Sequence, residues 1–346
     1  MRHSLEQTLG VCLLALMGAA ACGSDSTNNN PRAGDGGGSH ADAAPIPGDD
    51  AGLNDSGSDS PPASVGLTLT KVANDPGVSS PFDATPDVDG MNVYFTAVGS
   101  KGPGVFKVAA TGGAITEVFS GPPFISPFAI CISADGTQLY VADAAAETTS
   151  GDAGAIFAMP VAGATPAIVG GTDGLRPRGL EFSGDQLYFT GSDSSGGVGV
   201  FKMAAAGGPV LPVAVGAPFH DPSGLTISTS GDVYVVDTGS TTTTARVIRV
   251  ANGTPSVFVD GISVGYPSGI VLSLDESQLL LSALDRDTGT DTILIVDRAS
   301  KTVISDNMGI ATFTEAAGLH RAKTKNVFAW ADSVANQTGT VYVVSP

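Results

Sequence analysis

The sequence is short of positive charge, of aromatic residues and of cysteine. Its 346 residues include 16 Lys and Arg against 34 Asp and Glu, which gives a formal net charge of −18. A nucleic-acid backbone needs a basic protein face, so this balance argues against nucleic-acid binding. Three cysteines are too few for a disulfide scaffold. The 46 Gly and 22 Pro argue against a helical protein, whereas 42% hydrophobic residues exclude a wholly disordered one.

The first residues have the layout of a secretory signal. A short polar start precedes an apolar run over residues 9–21, which is shorter than the about 20 residues that a membrane-spanning helix needs. Small residues then lead into Cys22, and this resembles the lipobox of bacterial lipoproteins, although Ala19 stands where that motif most often has Leu. The resemblance implies that residues 1–21 are removed and that Cys22 is lipidated. The alternative is ordinary cleavage that leaves a free cysteine.

Residues 22–64 are predicted to form a flexible tether. They are mainly Gly, Ser, Asp, Asn, Ala and Pro, with seven aspartates and one arginine. Such a segment buries too little apolar area to offset its conformational entropy, and its like charges extend it. An anchor and a tether together predict a folded body held at a membrane of the bacterial cell envelope. The outer membrane or the cell surface is favoured over the inner membrane, and the lipid is the only predicted contact with the membrane.

One sequence pattern recurs through the rest of the chain. A glycine and alternating apolar residues are followed by a Gly- or Asp-containing turn and a second apolar strand, as in residues 179–190 and 224–237. An aromatic residue or a Leu marks the second strand at positions 94, 140, 188, 234, 280 and 328, which are steps of 46 or 48 residues. Two further short strands fit into each copy. Four antiparallel strands per repeat of this length are typical of a propeller blade.

The fold class is therefore predicted to be all-β, a six-bladed β-propeller over residues 65–346. The last copy has room for only three strands before the chain stops, and residues 65–72 form an additional strand before the first copy. We expect this strand to complete the last blade, because pairing the two ends removes an open edge. Two β-sandwich domains are the alternative, which the regular step disfavours.

The fourth copy resembles a known type of blade. Its sequence runs Asp-Pro-Ser-Gly-Leu-Thr-Ile-Ser from Asp221, continues Gly-Asp-Val-Tyr-Val-Val-Asp-Thr-Gly from Gly231, and ends in Arg-Val-Ile-Arg-Val from Arg246. This looks like an NHL-type blade and is similar to blades of gluconolactonase-type and TolB-like six-bladed propellers. The resemblance is specific for the fold and poor for function, because this fold hosts lactonases, lyases and pure binding scaffolds.

The resemblance also implies where a metal would lie. In gluconolactonase-type propellers, the residue before the glycine of each inner strand supplies carboxylate and amide ligands to a central calcium or zinc. Here those positions hold Arg178, Ser223, Ser268 and Ala317. An arginine repels a cation, and serine does not replace the carboxylates that hard cations prefer. No cofactor and no metal site is therefore predicted, with calcium as the open alternative.

Acidic and basic groups also occur near the predicted channel. Counting two residues on from the repeat's glycine places Asp87, Cys131, Glu181 and, approximately, His320 on the inner strands. If Asp87, Glu181 and His320 converge, they could form an acid/base set. The alternative is that they hydrogen-bond between blades or hold ordered water. Cys131 is predicted to be a small buried core residue.

The favoured hypothesis is a non-enzymatic, surface-tethered and monomeric propeller that binds an envelope protein, a glycan or a small ligand. The loops before the inner strands would form its binding face, because their polar and aromatic side chains suit recognition. The candidate residues of this face are Asp83, Asp87, Phe128, Arg178, His220, Asp221, Tyr266 and Glu315. The alternative hypothesis is an envelope enzyme, a lactone hydrolase or lyase of the propeller type with a divalent metal in the channel.

Overall fold

The structure is a computed structural model that describes residues 66–151, 153–238, 244–262, 269–285, 290–312 and 316–346. These residues form strands, turns and one short 3-10 turn at Ala335–Gln337. The predicted positions Cys22, Tyr266, Ser268 and Glu315 lie outside the described residues.

Twenty-four strands account for the described fold. The strand before the first blade is β1 (Thr68–Ala73). The first three blades contain β2 (Ser79–Pro86), β3 (Asn92–Gly99), β4 (Gly102–Ala109) and β5 (Thr116–Ser120); β6 (Pro127–Ile132), β7 (Gln138–Glu147), β8 (Ala153–Pro160) and β9 (Ala167–Ile168); and β10 (Arg176–Ser183), β11 (Gln186–Ser192), β12 (Val198–Ala204) and β13 (Leu211–Val215).

The last three blades contain β14 (Asp221–Ile227), β15 (Val233–Thr238), β16 (Ala245–Ala251) and β17 (Thr254–Ile262); β18 (Gly269–Leu272), β19 (Gln278–Asp285), β20 (Thr290–Asp297) and β21 (Val303–Thr312); and β22 (Ala316–Arg321), β23 (Phe328–Asp332) and β24 (Thr340–Ser345). Each blade is one four-stranded antiparallel sheet. The first strand of each blade contacts the first strand of the next, and β22 contacts β2, so the sheets close into a ring. The predicted all-β, six-bladed propeller is confirmed.

The ends of the chain close the ring. β1 pairs antiparallel with β24, with Thr68 opposite Ser345 and Lys71 opposite Tyr342. The sixth sheet therefore has the order β1-β24-β23-β22, and its outermost strand comes from the front of the chain. This confirms the predicted completion of the last blade. The pairing covers the outer edge of β24, which would otherwise offer unpaired backbone groups to other chains.

The hydrophobic core lies between neighbouring blades. Tyr140 of the second blade stacks on Phe182 of the third with ring centroids 5.5 Å apart. Val200 of the third blade belongs to the same buried cluster as Leu225 and Val235 of the fourth. Each blade therefore buries its apolar side chains against the next sheet, because the strand period of two places alternate residues on each face.

The recurring glycines allow the inner strands to approach one another closely. A Cβ at Gly179 would lie well inside van der Waals distance of the Ser223 carbonyl oxygen, and one at Gly269 would meet the backbone of Leu319. At Gly318 the Cβ would collide with the carboxylate of Asp83. Glycine in a strand often marks such a close approach. The repeat's glycine thus sets the width of the channel.

The ring has two different sides. On the side called here the hairpin side, tight turns join the first and second strands of each blade. Ser133 shapes one such turn: its Oγ accepts hydrogen bonds from the Thr137 and Gln138 N–H groups and donates one to Asp135. Ser273 and Asp275 repeat this arrangement in the fifth blade. On the opposite side, called the crossover side, loops lead from one blade into the first strand of the next.

Buried aspartates on two of the second strands hold two of the crossover loops. Asp143 accepts hydrogen bonds from the Ile125 and Ser126 N–H groups at 2.8 and 2.9 Å. Asp237 accepts hydrogen bonds from the N–H groups of His220 and Asp221, at 2.9 and 3.1 Å, in the same way. These carboxylates fix the backbone of the loops that lead to the channel.

Candidate functional site

The channel at the centre of the ring is narrow. Its lining comes from the first strands of all six blades and includes Asp83, Phe128, Arg178, Ser223 and His320. These residues enclose a cavity of about 20 Å³. A cavity of this size has room for about one water molecule.

A buried charged network crosses the channel. His320 on β22 lies between two carboxylates: its Nε2 is 3.1 Å from Asp83 Oδ2, and its Nδ1 is 3.4 Å from Glu181 Oε2. Lys323 donates to Glu181 Oε1 at 2.9 Å. Asp83 belongs to the first blade, Glu181 to the third and His320 to the sixth, so the network joins opposite parts of the ring.

Backbone groups also hold the two carboxylates. Asp83 accepts hydrogen bonds from its neighbour Ala84 and from Ile130 of the second blade, both at 2.8 Å. Glu181 accepts one from the Phe182 N–H at 2.9 Å. The oxygens are thus supplied with donors on several sides, which is the condition for burying charged groups at tolerable cost.

The environment keeps His320 protonated and Glu181 ionised. Burial alone would lower the pKa of His320, but the Asp83 carboxylate, assisted by Glu181, outweighs it and raises the pKa to about 10. Burial alone would raise the pKa of Glu181, but Lys323 and His320 outweigh it and hold that pKa far below its usual range. As an imidazolium, His320 donates from both ring nitrogens, so neither nitrogen has a lone pair to accept a proton.

The structure brings together some of the predicted acid/base residues and separates others. Glu181 and His320 meet in the channel. Asp87 lies instead in the turn between β2 and β3 on the hairpin side, where it accepts hydrogen bonds from the Met91 N–H and the Asn92 amide, both at 2.7 Å. Asp83, predicted for the binding face, is buried in the channel and occupies the place beside His320.

Four other predicted face residues lie on the crossover side near the channel. Phe128 is half-buried, and its ring packs on Phe82 with centroids 5.8 Å apart. Arg178 forms an ion pair with Asp221 across the boundary between the third and fourth blades. His220 is exposed next to this pair. This rim combines an aromatic surface, a guanidinium, a carboxylate and an imidazole within three neighbouring blades.

The donor set near the channel does not fit a metal ion. Among the described residues, no group of three or more His, Cys, Asp or Glu side chains is arranged to hold one. The two nitrogens of His320 face different carboxylates, so Asp83, His320 and Glu181 cannot all aim at one ion. Arg178 places a cation where the family resemblance implies a ligand.

Cys131 lies close to this network but takes no part in its hydrogen bonds. It is buried on β6, and burial, with the nearby negative charge of Glu181, raises the pKa of its thiol well above the ordinary value. A thiol of this kind is inert at neutral pH. The prediction of a small buried residue agrees with this position.

The sequence interpretation missed Lys323 and the place of Asp83. Lys323 stands two residues after the last inner strand, in a turn whose repeat position carries no charge in the other copies. The buried Asp143 and Asp237 were also missed, although a signal existed: both end the apolar run of a second strand, in Val-Ala-Asp and Val-Val-Asp.

Comparisons with known proteins support the fold. No protein-family model and no curated relative matches the chain. Solved structures do: the PQQ-bound aldose sugar dehydrogenase from Streptomyces coelicolor has a TM-score of 0.60 at 15% identity, covering 81% of this chain and 98% of that one. A gluconolactonase from Xanthomonas campestris has a TM-score of 0.57 at 15% identity, covering 81% and 89%. A putative TolB from Agrobacterium tumefaciens has a TM-score of 0.56 at 14% identity, covering 80% and 96%.

These similarities agree with the resemblance to gluconolactonase-type and TolB-like propellers. At such identities they establish the fold alone, which hosts both enzymes and other proteins. In the described part of the chain, the structure contains no helix that is long and apolar enough to span a membrane.

Proposed function

We propose that this chain is a lipid-anchored protein of the bacterial cell envelope whose propeller is a non-enzymatic binding module. The observation that carries the proposal is the channel network. Asp83, Glu181, His320 and Lys323 pair with one another in the middle of the ring. The pKa of His320 is raised to about 10 and that of Glu181 is held far below its usual range, so neither group is poised for general acid/base catalysis near neutral pH.

Recognition is then assigned to the crossover side. Phe128 and Arg178 line the channel, and Asp221 pairs with Arg178 at its rim. The Asp237 carboxylate holds the backbone of His220 and Asp221 in the loop that leads to this rim. Pre-organised loops with an aromatic surface and a guanidinium suit binding, because little ordering entropy is lost. Tyr266 and Glu315 are assigned to the same face by their places in the repeat. The partner is an envelope protein, a glycan or a small ligand.

The anchor is tested by replacing its cysteine. Cys22→Ser leaves no thiol for the lipid, so the protein is expected to move from the membrane fraction to the soluble fraction of the producing bacterium. Mass spectrometry of the wild-type mature N-terminus measures the lipid directly. A chain that stays in the membrane fraction after Cys22→Ser, or whose wild-type terminus carries no lipid, contradicts the anchor.

The binding face is tested on a partner captured from envelope extracts and then purified. The double variant Arg178→Ala with Tyr266→Ala should bind it about tenfold or more weakly, because central aromatic and arginine residues dominate interface energies. Arg249→Ala is the matched control, since Arg249 pairs with Asp232 on the hairpin side. Equal binding by the double variant and the control would count against this face.

A propeller enzyme is the second candidate, favoured by the convergence of Glu181 and His320. In the form suggested by the family resemblance, a lactone hydrolase or lyase, it requires a divalent ion such as calcium in the channel. Elemental analysis of protein purified without chelators separates the two functions. Stoichiometric calcium or zinc that is lost in His320→Gln would support the enzyme and overturn the binding module.

A further inference from the structure

Met91 and Leu274 are apolar side chains exposed in hairpin-side turns that flank the turn of the sixth blade. Met91, in the turn before β3, is 63% exposed, and Leu274, in the turn after β18, is 46% exposed. Single exposed apolar residues are common on protein surfaces, but groups of them mark interaction sites. These two belong to the first and fifth blades, which flank the sixth.

The turn of the sixth blade joins them into one surface. The Leu274 N–H donates to Asn326 Oδ1 at 2.7 Å, and Thr324 Oγ1 donates to the Val88 carbonyl at 3.1 Å. The same turn carries Lys325, which is exposed, whereas Lys323 turns its ammonium to Glu181 in the channel. We call Met91, Leu274, Thr324 and Lys325 the hairpin patch.

The chain enters the propeller on this same side. Thr68 pairs with Ser345 at the hairpin end of β24, and β1 then runs toward the crossover side. Residues before Gly66 therefore join the sixth blade, whose turn forms the centre of the hairpin patch. The proposed lipid-anchored tether is therefore attached to the propeller on this side of the ring.

The acidic groups near the hairpin patch are mostly engaged. Asp87 and Asp275 accept hydrogen bonds inside their own turns, and Glu276 accepts one from the Thr229 N–H at 2.6 Å. Asp89 is exposed and faces the same side as Lys325. These carboxylates outnumber the exposed lysine, so the patch suits a zwitterionic bilayer better than an anionic one.

We propose that the hairpin patch is the surface that rests on the bilayer, with Met91 and Leu274 dipping into the headgroup boundary. The crossover side then points to the aqueous phase, where a partner reaches it. This inference rests on the proposed lipid anchor. Exposed apolar side chains beside a lysine such as Lys325 suit a membrane interface, because the lysine stem lies along apolar surface while its charge stays in water.

The test places an environment-sensitive fluorophore at three sites in turn. Met91→Cys and Leu274→Cys report on the patch, and Ile125→Cys is the matched control, a 48% exposed apolar residue on the crossover side. Each variant carries Cys22→Ser and a hexahistidine tag in place of residues 1–21, and binds phosphatidylcholine vesicles that contain nickel-chelating lipid. The parent with only buried Cys131 gives the labelling background.

Nitroxide-labelled lipids should quench the probes at positions 91 and 274 several-fold more than the probe at 125. Equal quenching, or stronger quenching at 125, would overturn the orientation. The fluorophore emission at positions 91 and 274 could instead shift to the blue as the protein concentration rises, with no quenching by the nitroxide lipids. That result would assign the patch to contact with a second copy of the chain and would also overturn the proposed orientation. The nickel lipid replaces the natural anchor, so a missing lipid on Cys22 is detected separately by the fractionation experiment.

Discussion

His320 is the residue on which the centre of the molecule depends. It is buried between Asp83 and Glu181, and removing one partner from such a group leaves a buried charge without compensation. Arg178, by contrast, forms its ion pair with Asp221 at the partly exposed rim, where ion pairs contribute little to stability. His320 and Arg178 therefore have different roles, the first in holding the ring together and the second in offering a surface for binding.

Replacing His320 by glutamine tests this role in stability. His320→Gln removes the positive charge between two carboxylates and should lower the free energy of unfolding by about 3–5 kcal/mol. His220→Gln is the control, because His220 is exposed, and it should change stability by less than about 0.5 kcal/mol. Urea denaturation followed by tryptophan fluorescence measures both. A loss for His320→Gln no larger than that for His220→Gln would show that the network contributes nothing to folding.

The inner-strand glycines give a second prediction for single residues. Gly179→Ala places a Cβ against the Ser223 carbonyl and should cost about 1–3 kcal/mol, the range for overpacking. Gly170→Ala is matched to it, because no atom lies within 4 Å of a Cβ built there. Thermal unfolding of both variants decides the matter. If the two substitutions cost the same, close approach is not the reason for the glycine.

At the scale of strands and turns, most of the fold could be predicted from the sequence. The repeat pairs each marker residue with the inner strand, as Tyr188 with Glu181 and Tyr234 with Thr226. Alternation and turn residues are local signals, so the strands, the blade number and the closing strand follow from them. Contacts across the channel are not local, and no spacing in one sequence reports them.

The wrong placement of Asp87 shows the limit of counting positions from the repeat's glycine. Counting from the repeat's glycine fails in the first blade, which has no glycine there. The structure pairs Tyr94 with Thr85, so Thr85 is the true counterpart of Glu181, and Asp83 lies two residues before it. An irregularity between Ser79 and Asp83 shifts the register further. A shift of this size changes which end of the strand a residue occupies, and that separates a channel residue from a turn residue.

The contribution of the closing strand β1 to stability can be tested by truncation. A chain that starts at residue 75 lacks β1, exposes the edge of β24 and loses the buried Val72 and Ala73. Its free energy of unfolding should fall by more than about 3 kcal/mol, given about 1.5–3 kcal/mol per buried large side chain and the lost pairing. A chain that starts at residue 65 is the control and should match the full-length mature protein.

Calorimetry and gel filtration compare the two truncations. Aggregation of the shorter chain agrees with an exposed strand edge. If that chain cannot be purified, Val72→Ala in the longer chain supplies a milder test, with an expected lower melting temperature. If the chain from residue 75 melts at the same temperature as the chain from residue 65, or if Val72→Ala leaves the melting temperature unchanged, β1 does not hold the ring closed.

For the whole molecule, the buried charges make the stability of the ring depend on pH. The pKa of His320 in the folded state is about 10, above its unfolded value of about 6.5. Its contribution is therefore complete below about pH 6.5 and is lost as the pH rises toward 10. The pKa of Glu181 is depressed, so its contribution is present above its ordinary value of 4.5 and is lost as the pH falls. Stability should peak between these limits, where both groups are charged.

The alkaline side of this window gives the sharper measurement. From pH 6.5 to 8.5 the free energy of unfolding should fall by up to about 1.4 kcal/mol per pH unit for one group that the folded state keeps protonated. Cys131 also has a raised pKa, but its ordinary value of 9.0 lies above this interval. The slope therefore belongs to His320, and it should vanish in His320→Gln. A variant that keeps the wild-type slope would place the titrating group elsewhere and remove the imidazolium from the centre of the ring.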